Sequence, residues 1–361
     1  MTLMAKTIFW ASCGVVFYVY FGYPLLLCVW RRFARKPVLQ GLRRPGLSIV
    51  IAARNEAASI AAKIQNSLEL DYPREKLEII VSLDGPTDGT AEIAREYEGG
   101  PVRVIWSRLH QGKAAALNRA VASARNEIIV FCDARQRIHR RAMLELAADL
   151  GDPAVGGVSG ELLLAGEEGD AETDAVHPMG FYWRYEKWLR GMESDIHSTA
   201  GATGALYAIR RELFRPLPAD AILDDVFTPL GIVLAGKRVI FEPAARAYDH
   251  VACCPQAEFR RKVRTLAGNY QLLARMPVLL LPWRNPIFLQ FVSHKLGRLL
   301  VPYFLAALFV SNCFLLGGLY WIPLVLQFIW YAMALGGGLG LGSGRMGVPE
   351  PAVLERTREA L

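Results

Sequence analysis

Hydrophobic positions along this chain fall into two kinds of run. Ile8 to Trp30 is 23 residues without Asp, Glu, Lys, Arg or His, and Leu299 to Gly344 is 46. A membrane-crossing helix takes ~20 apolar residues, so the first run predicts one span and the second two, broken near Gly317-Gly318. Between them the runs are short and β-branched: LSIVIAA at 47–53, LEIIVSL at 77–83, a third at 102–106 and EIIVFC at 127–132. Helical stretches to about Leu68, over 90–97 and over 113–124 separate them. Strands alternating with helices predict an α/β fold, a mostly parallel sheet with helices on both faces, with transmembrane helices before and after it. Ligands of such sheets bind beyond the carboxyl ends of the strands. Arg54-Asn55-Glu56, Asp84 and Asp133 each stand there.

The net charge of +7 changes the picture once it is mapped. Residues 31–44 carry six basic side chains and no acid, residues 259–298 carry eight and no acid, and the remainder is net negative. The basic excess borders the apolar runs, so it reads as cytoplasmic flanks that attract anionic lipids rather than as a nucleic-acid surface. The first run is longer than the roughly 7–15 residues of a signal-peptide core and ends in Arg31-Arg32, which predicts a retained anchor. The tail (Arg345, Arg356, Arg358) is then expected back on the cytoplasmic side. Five segments follow: an anchor with its basic stop at 1–44, a cytoplasmic domain at 45–258, a basic interfacial segment at 259–298, two spans at 299–344 and a tail at 345–361. Cys13, Cys28, Cys132, Cys253, Cys254 and Cys313 have no paired spacing, so neither a disulfide framework nor a zinc ribbon is expected.

Candidate chemistry sits at the strand ends and in one later acidic pair. Asp84 in LDGPTDGT and Asp133 in CDAR can accept from a nucleotide or hold a divalent cation on a diphosphate. Each alone equally fits turn chemistry. With Gly112-Lys113 opening a helix between them, a nucleoside diphosphate becomes the better reading. Asp224-Asp225 lies in an apolar stretch, where mutual repulsion would make one acid a usable base, though a solvated turn fits as well. TAGATGA at 199–205 is a small-residue loop, and Arg260 to Arg264 a basic patch for a diphosphate or for lipid headgroups.

Taken in order, these segments resemble the membrane-bound family 2 glycosyltransferases, the inverting GT-A enzymes that include cellulose, hyaluronan and poly-N-acetylglucosamine synthases. The resemblance runs from about Leu47 to Lys295. It implies that Ala53 and Glu56 of AARNE and Asp84 of LDGPTDGT contact base and ribose, and that Lys113 of GKAAALN contacts the nucleotide. Asp133 matches the first acid of D-x-D and would be the metal ligand. Thr203, Gly204 and Ala205 look like the acceptor-side loop, and Asp225 like the last acid of the family's T/E-E/D-D motif, the base, with Asp224 beside it. Two departures stand out. Arg135 replaces the second acid of D-x-D, which puts Mg²⁺ or Mn²⁺ chelation in question. The Q-x-x-R-W motif reads Arg261-Lys262-Val263-Arg264-Thr265, keeping Arg264 but not the tryptophan that cradles a polymer end, so a short product is expected.

The function so implied is transfer from a nucleotide sugar, a UDP-sugar by the resemblance, to a lipid-linked or glycan acceptor at the inner membrane. Two alternatives stay open: a degenerate nucleotide-sugar-binding membrane protein, and a sugar nucleotidyltransferase, whose Gly- and Arg-rich signature the chain start lacks.

Overall fold

A computed structural model describes residues 2–165, 179–250, 255–315 and 317–342; Cys253, Cys254 and the tail at 345–361 lie outside the described residues. The four β-branched runs form β1 (Leu47–Ala53), β2 (Leu77–Asp84), β3 (Val102–Ser107) and β4 (Ile128–Asp133), all parallel in the order β3-β2-β1-β4. Both faces of β1 are covered, as in sheets flanked by helices on two sides. Ile49 and Ile51 enter one core with Ile64 of α3 (Ile60–Leu68) and Ala94 of α4 (Thr90–Glu96); Val50 enters the other with Leu117 of α5 (Lys113–Ser123). Register then levels the strand ends: Ala52 lies opposite Asp133, and Ala53 opposite Leu83.

The second half of the sheet is mixed. β5 (Arg137–Ile138), α6 (Ala142–Asp149), β6 (Val155–Ala165), α7 (Met179–Ile196), β7 (Tyr207–Arg210), α8 (Asp224–Leu234) and β8 (Arg238–His250) complete the sheet order β3-β2-β1-β4-β7-β6-β8-β5. β7 runs antiparallel to β4 and β6, β5 runs antiparallel to β8, and β6 pairs with β8 in parallel.

Three helices are long and apolar enough to cross a membrane: Thr2–Ala34, Phe288–Cys313 and Gly318–Gly336. The first comprises α1 (Thr2–Phe17), a π-helical turn at Tyr18–Gly22 and α2 (Tyr23–Ala34). After α9 (Pro255–Arg275), the second comprises α10 (Phe288–Gln290), a π-helical stretch at Phe291–Leu296 and α11 (Gly297–Cys313); α12 (Trp321–Gly342) contains most of the third. The second begins at Phe288 rather than Leu299, so it takes in His294, Lys295 and Arg298. Ionisable side chains in such helices are tolerated when paired inward. Arg298 pairs with Glu186, and His294 sits between Glu186 (3.1 Å) and Glu193 (2.9 Å) of α7.

The chain divides into two compact units. Phe17–Ala252 with Arg261–Val301 holds the sheet and its helices. The other, Met1–Val16, Cys253–Arg260 and Pro302–Leu361, packs Ala5 and Phe9 with Leu308 and Leu315, and Trp10 Nε1 donates to the Tyr320 hydroxyl at 3.1 Å.

Candidate active site

The loops beyond β1 and β2 are stitched together by their own polar side chains. Asn55 takes a left-handed conformation (φ 53°), which asparagine tolerates better than most residues. Its Oδ1 accepts from the Thr87 amide at 2.8 Å. The Glu56 amide donates to Thr90 Oγ1 at 2.8 Å, and the Ala57 amide to Asp88 at 3.2 Å. Ala53 is buried at the end of β1, while the Glu56 carboxylate accepts from Ser59 Oγ at 2.9 Å and faces Arg135 Nε at 3.9 Å.

Asp84 is buried and fully engaged. Its carboxylate accepts from the amides of Gln111 (3.0 Å) and Gly112 (2.7 Å), from Arg119 (3.3 Å), and meets His110 Nδ1 at 2.7 Å. Burial opposes its charge, but these four partners outweigh burial and hold the carboxyl below the usual aspartate range. Asp84 thus fastens the 110–112 loop, and a base contact by the same oxygens would displace one of these partners. Gly85 is required here: at φ +58°, a Cβ would come within 2.7 Å of the His110 amide nitrogen.

The 110–112 loop delivers Lys113 to the centre of the site. Its Nζ lies 2.9 Å from Asp133 Oδ1, at the end of β4, and 3.2 Å from Asp224 Oδ1, at the start of α8. Burial works against the ammonium, yet Asp224, Asp133 and Asp225 hold it firmly charged, with its pKa above the ordinary lysine value. One cation therefore ties the parallel half of the sheet to the later acidic pair.

That tie separates Asp224 from Asp225. Asp224 is buried and spent on Lys113, whereas Asp225 faces the small-residue loop. The Ala202 amide donates to the Asp225 carbonyl at 2.8 Å, and a Cβ on Gly204 would sit 3.2 Å from Asp225 Oδ2. The Thr203 amide donates to Ser159 Oγ at 3.0 Å, and Ala205 is buried behind it. A recessed position and the Asp224 charge push the Asp225 carboxyl up to about 6, with Lys113 and Lys295 only partly offsetting them. α9 braces this segment: Gln271 accepts from the Ile222 amide (3.0 Å), Arg275 pairs with Asp220 (2.7 Å), and Gly268 packs on Leu223. Arg261 and Arg264 stand exposed on the same helix.

The sequence reading passed over Arg190, Ser159 and Lys295. Arg190 donates to Ser159 Oγ at 2.7 Å and lies over the Phe241 ring, which shores up the loop at Thr203. Their only signal in sequence was charge within otherwise apolar surroundings, in FYWRYEKWLR and FVSHKL.

No group of three or more His, Cys, Asp or Glu that could hold a metal occurs among the described residues. Arg135 points its charge towards Glu56, and Lys113 takes one oxygen of Asp133. A magnesium-like ion is often held by one or two carboxylates plus substrate phosphates. The donor set therefore fits a cation carried on a diphosphate with Asp133 as single protein carboxylate, and does not fit a cation held by protein alone.

Comparison with known proteins places this geometry. Residues 48–217 match the family model described as Glycosyl transferase family 2. The chain is 24% identical over 246 residues to the probable glycosyltransferase YdaM of Bacillus subtilis (strain 168), covering 64% of this chain and 57% of that protein. It is 24% identical over 249 residues to the poly-beta-1,6-N-acetyl-D-glucosamine synthase of Staphylococcus aureus (strain COL), covering 67% and 58%. The matches thus span little more than half the length of these relatives. Among solved structures it resembles the mannosyltransferase PcManGT from Pyrobaculum calidifontis, determined with GDP-Man and Mn²⁺, at TM-score 0.69 and 26% identity over 93% of this chain and 92% of that one. Residues 48–217 are a family 2 glycosyltransferase domain, built on the GT-A fold.

Proposed function

We propose that this protein transfers a sugar from a nucleoside-diphosphate-sugar donor to an acceptor at the membrane surface, with inversion at the anomeric carbon. The observation that carries the reading is the Asp133–Lys113–Asp224 relay across the strand ends, with Asp225 left free beside the 201–204 loop. Donor and acceptor sides are thereby distinct and adjacent.

The donor would lie over the ends of β1, β2 and β4, its diphosphate towards Lys113. Positive charge there stabilises the leaving diphosphate as the bond to the anomeric carbon breaks. A divalent cation on the diphosphate, held by Asp133, would add to that charge. Asp225 takes the proton of the attacking acceptor group. Its carboxyl at about 6 is ionised at neutral pH yet basic enough to be an effective acceptor. Lys113 keeps Asp224 from competing for that role.

The family resemblance favours a UDP-sugar. The structural neighbour that covers both chains almost completely was solved with GDP-Man, which makes a GDP-sugar the second donor class to test. The basic flanks at 31–44 and 259–298 support an inner-membrane protein with this domain on the cytoplasmic side. The loss of the aromatic position at Thr265 favours transfer of one or a few sugars.

The full chain, purified in detergent and offered a panel of UDP- and GDP-sugars with membrane lipid extract, should release one nucleoside diphosphate and label an acceptor. Binding of a donor with no release under any acceptor condition would favour the degenerate binding protein. Release of nucleoside triphosphate from a nucleotide sugar and pyrophosphate would favour the nucleotidyltransferase.

A further inference from the structure

Lys295 is the cation that the mechanism above does not use. It lies in the π-helical stretch at Phe291–Leu296, and its Nζ would be 3.6 Å from a Cβ placed on Gly201, so it borders the same small-residue loop as Asp225. Among the described residues it forms no ion pair and donates no hydrogen bond. Its neighbours are satisfied: His294 by Glu186 and Glu193, Arg298 by Glu186, Arg190 by Ser159 and the Phe241 ring.

Lys295 also lines a crevice of about 190 Å³. On one side are Asn269, Leu272 and Leu273 of α9, on the other Phe291, Leu296 and Leu299. The walls are almost wholly hydrocarbon, and one wall belongs to a helix long and apolar enough to cross a membrane. An apolar slot with a lone ammonium at the loop that carries the base is matched by a molecule with a hydrocarbon body and an anionic head. A half-buried lysine with no partner is costly unless a ligand supplies the counter-charge.

We propose that the acceptor of this enzyme is a lipid monophosphate, its chain in the α9–α11 crevice and its phosphate on Lys295. The proposal rests on the glycosyl-transfer reading and names the substrate class of that same site. A phosphate oxygen of the lipid bonds to the anomeric carbon. The bond from that carbon to the donor's β-phosphate oxygen breaks, and the nucleoside diphosphate leaves with the electron pair. The product is a lipid-phosphate sugar. Where the phosphate carries its last proton, lost with a pKa of about 6, Asp225 receives it.

The test uses the full chain in detergent with radiolabelled donor sugar and three acceptors: geranylgeranyl phosphate, geranylgeraniol and inorganic phosphate. Label should enter the organic phase with the prenyl phosphate alone, as a product cleaved by mild acid. Inorganic phosphate, which lacks the hydrocarbon body, should neither accept sugar nor compete at equal concentration. Lys295→Met should raise KM for the prenyl phosphate by roughly tenfold or more, the scale of one charged hydrogen bond, with donor affinity by calorimetry unchanged. Lys295→Arg should recover most of the loss, which a merely structural role for the position would not require. Equal labelling of the alcohol, competition by inorganic phosphate as strong as by the lipid, or an unchanged KM in Lys295→Met would overturn the proposal. A wild-type protein that binds no nucleotide sugar would instead sink the glycosyl-transfer reading beneath it. Donor binding and nucleotide release without labelled lipid phosphate would sink the lipid-phosphate proposal alone.

Discussion

The donor edge and the acceptor edge of this site are built in opposite ways. On the donor edge, groups close in sequence meet within consecutive strand–helix units, and nearly every polar atom is tied to another. Asp84 alone engages three residues of one loop and Arg119. On the acceptor edge, Asp225, Gly204, Arg190 and Lys295 come from four separate stretches of chain, and two of the charged groups remain without a protein partner. A nucleotide is a constant shape that rewards a pre-tied cradle. Ionisable groups left unpaired are those free to change partner or proton during a reaction.

The largest break in this contrast comes from Asp225. General-base catalysis contributes about 10²–10⁴-fold, so Asp225→Asn should lower turnover by roughly two orders of magnitude or more. Donor affinity should hardly move, because the base does not touch the cradle. Steady-state kinetics paired with nucleotide-binding calorimetry checks both halves.

Lys113→Met removes the one link between the edges and should harm both. Losing a charged hydrogen bond costs about 1.5–3 kcal/mol, so donor affinity should fall roughly tenfold or more. Asp133 and Asp224 lose their counter-charge, and their repulsion should raise the Asp225 carboxyl further. Calorimetry detects the first effect and the pH–rate profile the second.

That profile also sharpens the contrast in the wild type. Folding raises the Asp225 carboxyl from an ordinary value to about 6, so its proton is bound more tightly in the folded protein. With an acceptor that must lose a proton, kcat/KM should be flat above about pH 6 and drop tenfold per unit below it; Asp225→Asn should abolish this limb. Stability has the same sign: the Asp225 contribution is fully present below the unfolded-state value and is lost as pH rises through about 6. Asp84 runs the other way, since its folded value is lowered: its contribution is present above the unfolded value and fades as pH falls through the folded one. Denaturant titrations from pH 4 to 8 would separate the two.

The smallest effect concerns Arg135. With its fixed charge beside Glu56 in the place of a second carboxylate, EDTA should lower activity only severalfold. Arg135→Asp should make the loss steeper and its reversal by Mn²⁺ more complete. Abolition of wild-type activity by EDTA with full recovery in Mn²⁺ would count against this account.

How legible each edge was in the sequence follows from the same construction. The parallel strands β1 to β4 are continuous β-branched runs ending in polar residues, so Ala53, Glu56, Asp84, Lys113 and Asp133 announce themselves by position. Asp84 as the clamp on residues 110–112 was not legible, because a carboxylate aimed at backbone amides leaves no pattern in the loop it holds. β6, β7 and β8 were missed: VGGVSGELLLA and YAIR lack the alternation that marks a half-exposed strand. Lys295 and Arg298 read as an interfacial charge cluster because their partners Glu186 and Glu193 lie about a hundred residues away.

The two π-helical stretches make this machinery sensitive to length rather than to chemistry. Residues five apart on an α-helix differ by about 140° in azimuth, but the wider π turn brings them nearly into line. Tyr18 and Tyr23 are so placed, one reaching Ser293 at 2.8 Å and the other Glu193 at 2.6 Å; Ser293 and Arg298 repeat the spacing on the partner stretch. Deleting Val19 alone would keep the segment apolar and long enough to span a membrane. It would also swing every preceding side chain by about 100° relative to α2, and Tyr18 would leave Ser293. The register of these helices is thus a frame, written as a number of residues, that composition alone does not preserve.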